Sequence, residues 1–189
     1  MLSDADPALL AAALDGSERA ARELVRRHGA RLHACALRLV GDAGAAEEVV
    51  QDVFDQLLRH GDGFREESAL GTWLYAVTLN RCRDVLRRAS FAAARSAQPV
   101  SPHLADGALD PLERAERRDR AERINGAMNA MPADMREVIA LRFASDLSYE
   151  QIAAVLECPP GTVASRLHRA LRRLGQELHA IGLTKENVQ

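Results

Sequence analysis

"LSYEQIAAVLECPPGTVASRLHRALRRL", residues 147–174, is the stretch whose reading decides the fold. Ser148 stands three residues before Gln151, and Leu147 and Ile152 occupy the two positions of a hydrophobic staple. This is a capping-box arrangement, in which serine and glutamine side chains satisfy backbone N–H groups left open at a helix start. "ECPPG" at 157–161 then makes a tight turn, and "TVASRLHRALRRL" at 162–174 resumes a helical period. On that last helix Val163, Leu167, Ala170 and Leu174 share one stripe suited to packing. The opposite arc carries Thr162, Ser165, Arg166, Arg169, Arg172 and Arg173. A capped helix, a short Pro/Gly turn and an arginine-loaded helix make a helix-turn-helix, whose second helix enters a DNA major groove. Residues near its N-terminal end are expected to reach base edges, and the later arginines to grip phosphates. A bare solvated basic face would carry the same charges; the capped partner helix and the turn weigh for DNA.

The rest of the chain is helical in period too, and no segment alternates long enough to demand a strand. The expected fold class is all-α, with two small helical domains joined by a flexible linker, the C-terminal one holding the helix-turn-helix. Helices are expected over Pro7–Leu14, Ser17–Val40 and about Ala45–His60, with Asp6 and Ser17 as N-caps and "DG" at 15–16 and "GDAG" at 41–44 as breaks. The loop "GDGFREES" at 61–68 leads to the helix "GTWLYAVTLNRCRDVLRR" at 71–88. From Ala89 to Leu109 the sequence turns to small residues and two prolines and reads as a linker. Fully extended, such a 21-residue segment spans about 70 Å at ~3.3–3.6 Å per residue. That is comparable with ~20 base pairs of duplex. A second unit opens with Asp110, Pro111 and Glu113 as another capping box, and Pro132 begins a further helix. The expected division is 1–90, a linker over 91–109, 110–175, and a tail over 176–189 to which no function is assigned.

With 189 residues and a hydrophobic content of 47%, the chain can build real cores. The formal net charge of −2 hides segregation: four arginines and no acid lie between Gly161 and Leu174, and five acids and no base between Asp42 and Asp55. A partner feels the local field rather than the average. Lys185 is the sole lysine among 25 basic residues, which reflects either selection for forked donors or a GC-rich codon bias. Cys35, Cys82 and Cys158 lie far apart with no C-x-x-C pair and read as small buried hydrophobes, so no metal site and no disulfide framework are expected. Neither a signal peptide nor a stretch approaching eighteen apolar residues is present, and a soluble, cytoplasmic protein without membrane insertion is the expectation. His28, His33 and His60 lack a third ligand or an H-E-x-x-H pattern, Glu47 and Glu48 point apart, and no phosphate-cradling loop follows a strand. No catalytic set and no cofactor are expected, and the protein does not read as an enzyme.

The helix at 71–88 has an aromatic lip, Trp73 and Tyr75, and an arginine ladder, Arg81, Arg83, Arg87 and Arg88. Rings stack on unpaired bases and guanidinium groups hold phosphates. On a helical projection Trp73, Asn80 and Arg87 share a face opposite Tyr75, Leu79, Cys82 and Leu86, which form the natural core stripe. Trp73 itself fits a core position as well. In the acidic helix, Glu47, Glu48, Gln51, Asp52 and Asp55 offer one side to a basic partner, while Val49, Val50, Val53, Phe54 and Leu57 divide between core and rim.

The segment 147–174, and "GTVASRLHRA" most specifically, resembles region four of the extracytoplasmic-function (ECF, group IV) sigma factors of bacterial RNA polymerase. "AEEVVQDVFDQLLRH" and "FREESALGTWLYAVTLNRCRDVLRR" resemble the core-polymerase-binding helix and the promoter −10 region of the same family, in the same order. The resemblance implies that Thr162, Ser165, Arg166, Arg169, Arg172 and Arg173 read the −35 element as duplex. It implies that Phe64, Arg65, Ser68, Trp73, Asn80, Arg83 and Arg87 capture the −10 element as it opens. Glu47, Glu48, Gln51, Asp52, Phe54 and Asp55 would then meet the clamp helices of the polymerase's largest subunit, and an anti-sigma factor is a further implied partner. Asp55 departs from the family pattern, in which an apolar residue often follows the phenylalanine. The alternative is a stand-alone helix-turn-helix regulator, although no heptad seam for a dimer is evident.

Overall fold

A computed structural model describes residues 6–61, 69–93, 119, 123–145 and 147–180, and among these every regular element is helical. The elements are α1 (Asp6–Leu14), α2 (Glu18–Val40), α3 (Ala43–His60), α4 (Leu70–Ala93), a helical run at 123–129 (α5), α6 (Ala133–Ala144), α7 (Tyr149–Val155) and α8 (Pro160–Ala180). Helix α4 continues through Ala93, so residues 89–93, expected to open the linker, are helical instead; the loop at 62–68, the remainder of the linker from residue 94 onward and the Asp110 capping box lie outside the described residues.

Local chemistry sets the boundaries. Ser17 caps α2 by accepting from the Ala20 N–H, and Gly41 ends it in the left-handed region at φ 76°, its N–H donating to the Leu37 carbonyl. Gly16, at φ 93°, turns the chain between α1 and α2. Helix α3 starts two residues before the expected Ala45, because Asp42 is the N-cap and its carboxylate accepts from the Ala45 N–H at 2.8 Å. Asp6, expected as an N-cap, also has a role beyond its own helix. It is the first residue of α1, is buried, and bonds across to α2, accepting from Arg27 at 3.1 Å and meeting His28 Nε2 at 2.9 Å. The Ser148–Gln151 capping box forms as expected, and the staple residues Leu147 and Ile152 are both buried.

Helix α2 is the hub, packing on α1, α3, α4 and, from the other half of the chain, α6. Leu24, Leu32, Cys35, Ala36 and Leu39 line its inner face. Val49, Val53 and Leu57 of α3 and Leu74, Leu79 and Cys82 of α4 close this core. In the second half α6, α7 and α8 pack mutually around Val138, Leu141, Ile152, Val163 and Ala170. The two cores are not separate: one cluster of buried side chains runs through both, joined where α6 lies on α2 and α7 on α4. This continuity has a sequence correlate in α6, where Glu137 to Leu141 are all buried. Five consecutive buried positions exceed the single stripe of a surface helix and mean cover on more than one side.

Candidate nucleic-acid interface

Helix α8 is held from below and free above. Val163, Leu167 and Ala170 are buried and Leu174 packs against the core, so the expected stripe is the one that anchors it. Arg169, Arg172 and Arg173 are exposed, while Arg166 and Thr162 are half-buried. The Ser165 hydroxyl donates to the Thr162 carbonyl at 3.0 Å, and the Thr162 N–H donates to the Pro159 carbonyl at 2.8 Å, tightening the first turn. The six residues of the polar arc thus stay together on one helix. Arg173 is drawn sideways by Glu177 at 2.7 Å, in a continuation of the helix to Ala180. The sequence reading left Glu177 in an unassigned tail; its i,i+4 spacing from Arg173 was the available signal.

Helix α4 carries the second candidate set. Tyr75, Leu79 and Cys82 are buried and Leu86 half-buried, as the core stripe requires. Trp73 is half-buried and packs against the core. Asn80, Arg83 and Arg87 lie on the exposed side, and each is already engaged. Arg87 bonds Asp84 at 2.9 Å, and Arg83 donates to Asn80 Oδ1 at 3.2 Å. Arg83 also makes a two-pronged contact with Glu137 of α6, at 2.7 and 2.8 Å. This bonding and the nearby negative charge raise the Arg83 pKa further above its ordinary value. Glu137, which sequence reasoning missed, is the partner that the other half supplies. Phe64, Arg65 and Ser68 lie outside the described residues.

The acidic face is formed by Glu47, Glu48, Gln51, Asp52 and Asp55, all exposed along α3. Phe54, grouped with them in the sequence reading, turns inward and is only 7% exposed, so its ring fixes the helix rather than joining that surface. Asp55 pairs with Arg59 at 3.0 Å, and the Gln56 side chain accepts from Arg81 of α4 at 3.2 Å. A shallow cleft lined by Asp52, Asp55, Gln56, Arg59 and Arg81 therefore connects the acidic helix to the basic one. Among the described residues no cluster of His, Cys, Asp or Glu could hold a metal ion, and no helix is long and apolar enough to cross a membrane.

The two halves match family models separately, residues 24–92 matching sigma-70 region 2 and residues 121–174 matching sigma-70 region 4. The chain is 32% identical over 179 residues to the RNA polymerase sigma-H factor of Pseudomonas aeruginosa, covering 88% of this chain and 90% of that protein. It is 30% identical over 189 residues to the ECF RNA polymerase sigma-E factor of Escherichia coli K12, covering 93% and 95%. Among solved structures, it is similar to CnrH in complex with the cytosolic domain of CnrY, with a TM-score of 0.71, 28% identity, and 94% and 99% of the two chains covered. It is also similar to the sigma factor RpoE in complex with the anti-sigma factor NepR from Bartonella quintana, with a TM-score of 0.65, 30% identity, and 84% and 96% covered. With both regions matched in order and the similarity running through nearly the whole length, the chain belongs to the extracytoplasmic-function sigma factors of the sigma-70 family.

Proposed function

We propose a division of labour for this sigma factor, which as a non-enzymatic subunit binds core RNA polymerase and directs it to promoters. The unit over 110–175 reads the −35 duplex through Thr162, Ser165, Arg166, Arg169, Arg172 and Arg173. The unit over 1–90 holds the −10 element through the loop residues Phe64, Arg65 and Ser68 and the α4 residues Trp73, Asn80, Arg83 and Arg87. The linker after Ala93 lets the two reach separate elements of one promoter. Glu47, Glu48, Gln51, Asp52 and Asp55 face the polymerase, with Phe54 bracing their helix. A cytoplasmic location follows from that partner.

The observation that carries this reading is the basic arc of α8, fixed by the buried Val163, Leu167 and Ala170 and presenting Arg169 and Arg172 to solvent. A rigid helix with donors on one side is what groove readout needs. An anti-sigma partner belongs to the same proposal, supported by the similar sigma factors solved with CnrY and with NepR. The test is run-off transcription from fragmented genomic DNA with sigma-free core polymerase. Defined transcripts that require the protein are expected, and their start sites give the −35 and −10 sequences. Tight sequence-specific DNA binding without transcripts would overturn the polymerase-dependent assignment.

A further inference from the structure

Of the three aromatic rings of α4, two serve packing and one stands outside. Tyr75 is buried and donates its hydroxyl to the Ala144 carbonyl at 3.4 Å, and Trp73 is half-buried against the core. Phe91 is 66% exposed, in a turn expected to belong to the linker. Ser90 tightens this last turn, its hydroxyl donating to the Arg87 carbonyl at 2.8 Å. At about 100° per residue, Phe91 stands opposite Cys82 of the core stripe, roughly 20° from Asn80 and roughly 40° from Arg87. Its ring thus continues the exposed side that carries Asn80 and Arg87. At ~1.5 Å per residue it lies ~16 Å beyond Asn80 and ~6 Å beyond Arg87. Arg88 is exposed as well, and the pairing of Arg87 with Asp84 lies at the surface, where solvent weakens it. An exposed ring beside guanidinium groups suits a polyanion that also has flat faces, which is nucleic acid with unpaired bases.

We propose that Phe91 is a base-stacking residue, whose ring covers the unpaired base at the upstream edge of the −10 element while Arg87 and Arg88 hold the phosphates beside it. The inference rests on the −10 assignment of the α4 face and extends it by a residue outside that set. The direction follows from the chain. Beyond Ala93 it runs to the unit that reads the −35 element, so this end of α4 faces upstream. The ~16 Å from Asn80 corresponds to about five steps of duplex at ~3.4 Å, so Phe91 and Asn80 act on different nucleotides. At that edge paired DNA gives way to open strand, and the base there loses the neighbour it stacked on. A planar ring replaces that neighbour for any base, so Phe91 adds affinity for the open state rather than sequence preference.

The test uses the full chain with core polymerase, on a promoter from the run-off starts whose −10 element is held open by mismatches. Phe91→Ala is expected to weaken binding of this template about tenfold, and Phe91→Trp to keep it. Phe91→Leu, apolar but not flat, is expected to bind like Phe91→Ala. Abasic nucleotides placed one at a time along the non-template strand identify the partner: at the stacked position, the loss seen with wild type disappears in Phe91→Ala. Binding to core polymerase and to −35 duplex is expected to be unchanged, which also shows that the variants fold. Unchanged affinity of Phe91→Ala for the open template overturns the proposal, as does rescue by leucine or an abasic scan without coupling at any position. Weaker core binding by Phe91→Ala would likewise overturn it and make the ring a protein contact. Where Phe91→Ala leaves the affinity unchanged, Asn80→Ala and Arg87→Ala separate the premises. If both also bind the open template as wild type does, the −10 assignment of α4 has failed; if either binds more weakly, that assignment stands and only the stacking is wrong.

Discussion

Ser148 and Gln151 cap each other. The serine hydroxyl accepts from the Gln151 backbone N–H at 3.2 Å, and the glutamine side-chain oxygen accepts from the Ser148 N–H at 2.9 Å. Helix α7 is only seven residues long, too short to persist on propensity alone, so this exchange and the burial of Ile152 and Val155 hold it. Ser148→Ala is therefore expected to lower stability by about 1 kcal/mol. Urea unfolding checks this, and an unchanged midpoint would show that packing alone sets the helix start.

For the recognition helix, Arg166→Ala and Arg169→Ala are each expected to weaken binding to a −35 duplex, by ~1–3 kcal/mol where the arginine makes a bidentate base contact. A phosphate contact would instead weaken all duplexes alike and lower the salt dependence. Titration of promoter and scrambled duplexes distinguishes the two. Unaltered binding in both variants removes these arginines from the readout.

Reversing charge at Glu48 and Asp52 to lysine is expected to impair association with core polymerase and leave folding intact, since both side chains are exposed. The affinity of the same variant for −35 duplex should be unchanged. Polymerase pull-down equal to wild type would reassign the acidic face to simple solvation.

Glu23 sits between two arginines, bonded to Arg26 and then Arg27 at 2.7 and 2.8 Å, and these bonds hold its pKa down at about 2 against an ordinary 4.5. A depressed carboxylate stabilises the fold in full above 4.5 and loses that contribution as pH falls toward about 2. Thermal melts at low salt should show the wild type losing stability across that window. Glu23→Gln should flatten the profile there, and parallel profiles would refute the assignment.

Burial pushes the Cys35 thiol up to about 12 and the Cys82 thiol up as well, with Cys35 and Glu137 adding to the latter. The thiolate is the reactive form. Cys158, half-exposed at the turn before α8, is expected to react with a thiol reagent in the native protein, and Cys35 and Cys82 only on unfolding. Rapid native labelling of Cys82 would mean that the packing over α4 opens readily.

The features legible in the sequence are those fixed by neighbours along the chain. Ser148 and Gln151 lie three residues apart, and Val163, Leu167 and Ala170 recur at helical spacing, so the cap and the buried stripe needed no partner to be read. Tyr75, Leu79 and Cys82 were legible for the same reason. Asp6, Phe54 and Glu137 were not. Each takes its role from a residue on another helix: Asp6 from Arg27 and His28, Phe54 from the α2 surface near Gly29, and Glu137 from Arg83. A glutamate in a helix reads as solvent-facing until something covers it. The run from Val138 to Leu141 was the sign that α6 is covered on more than one side, and it says nothing of which helix does the covering.

The packing of α6 on α2 and of α7 on α4 joins surfaces that belong to one covalent chain. Two surfaces on one chain meet at an effective concentration on the order of millimolar when the connection between them is short. A contact far too weak to assemble two separate polypeptides at micromolar levels can therefore keep an intact chain shut for most of its life. Severed within the 91–109 segment, this protein should drift apart into its two units on dilution, each with part of its apolar surface newly wetted.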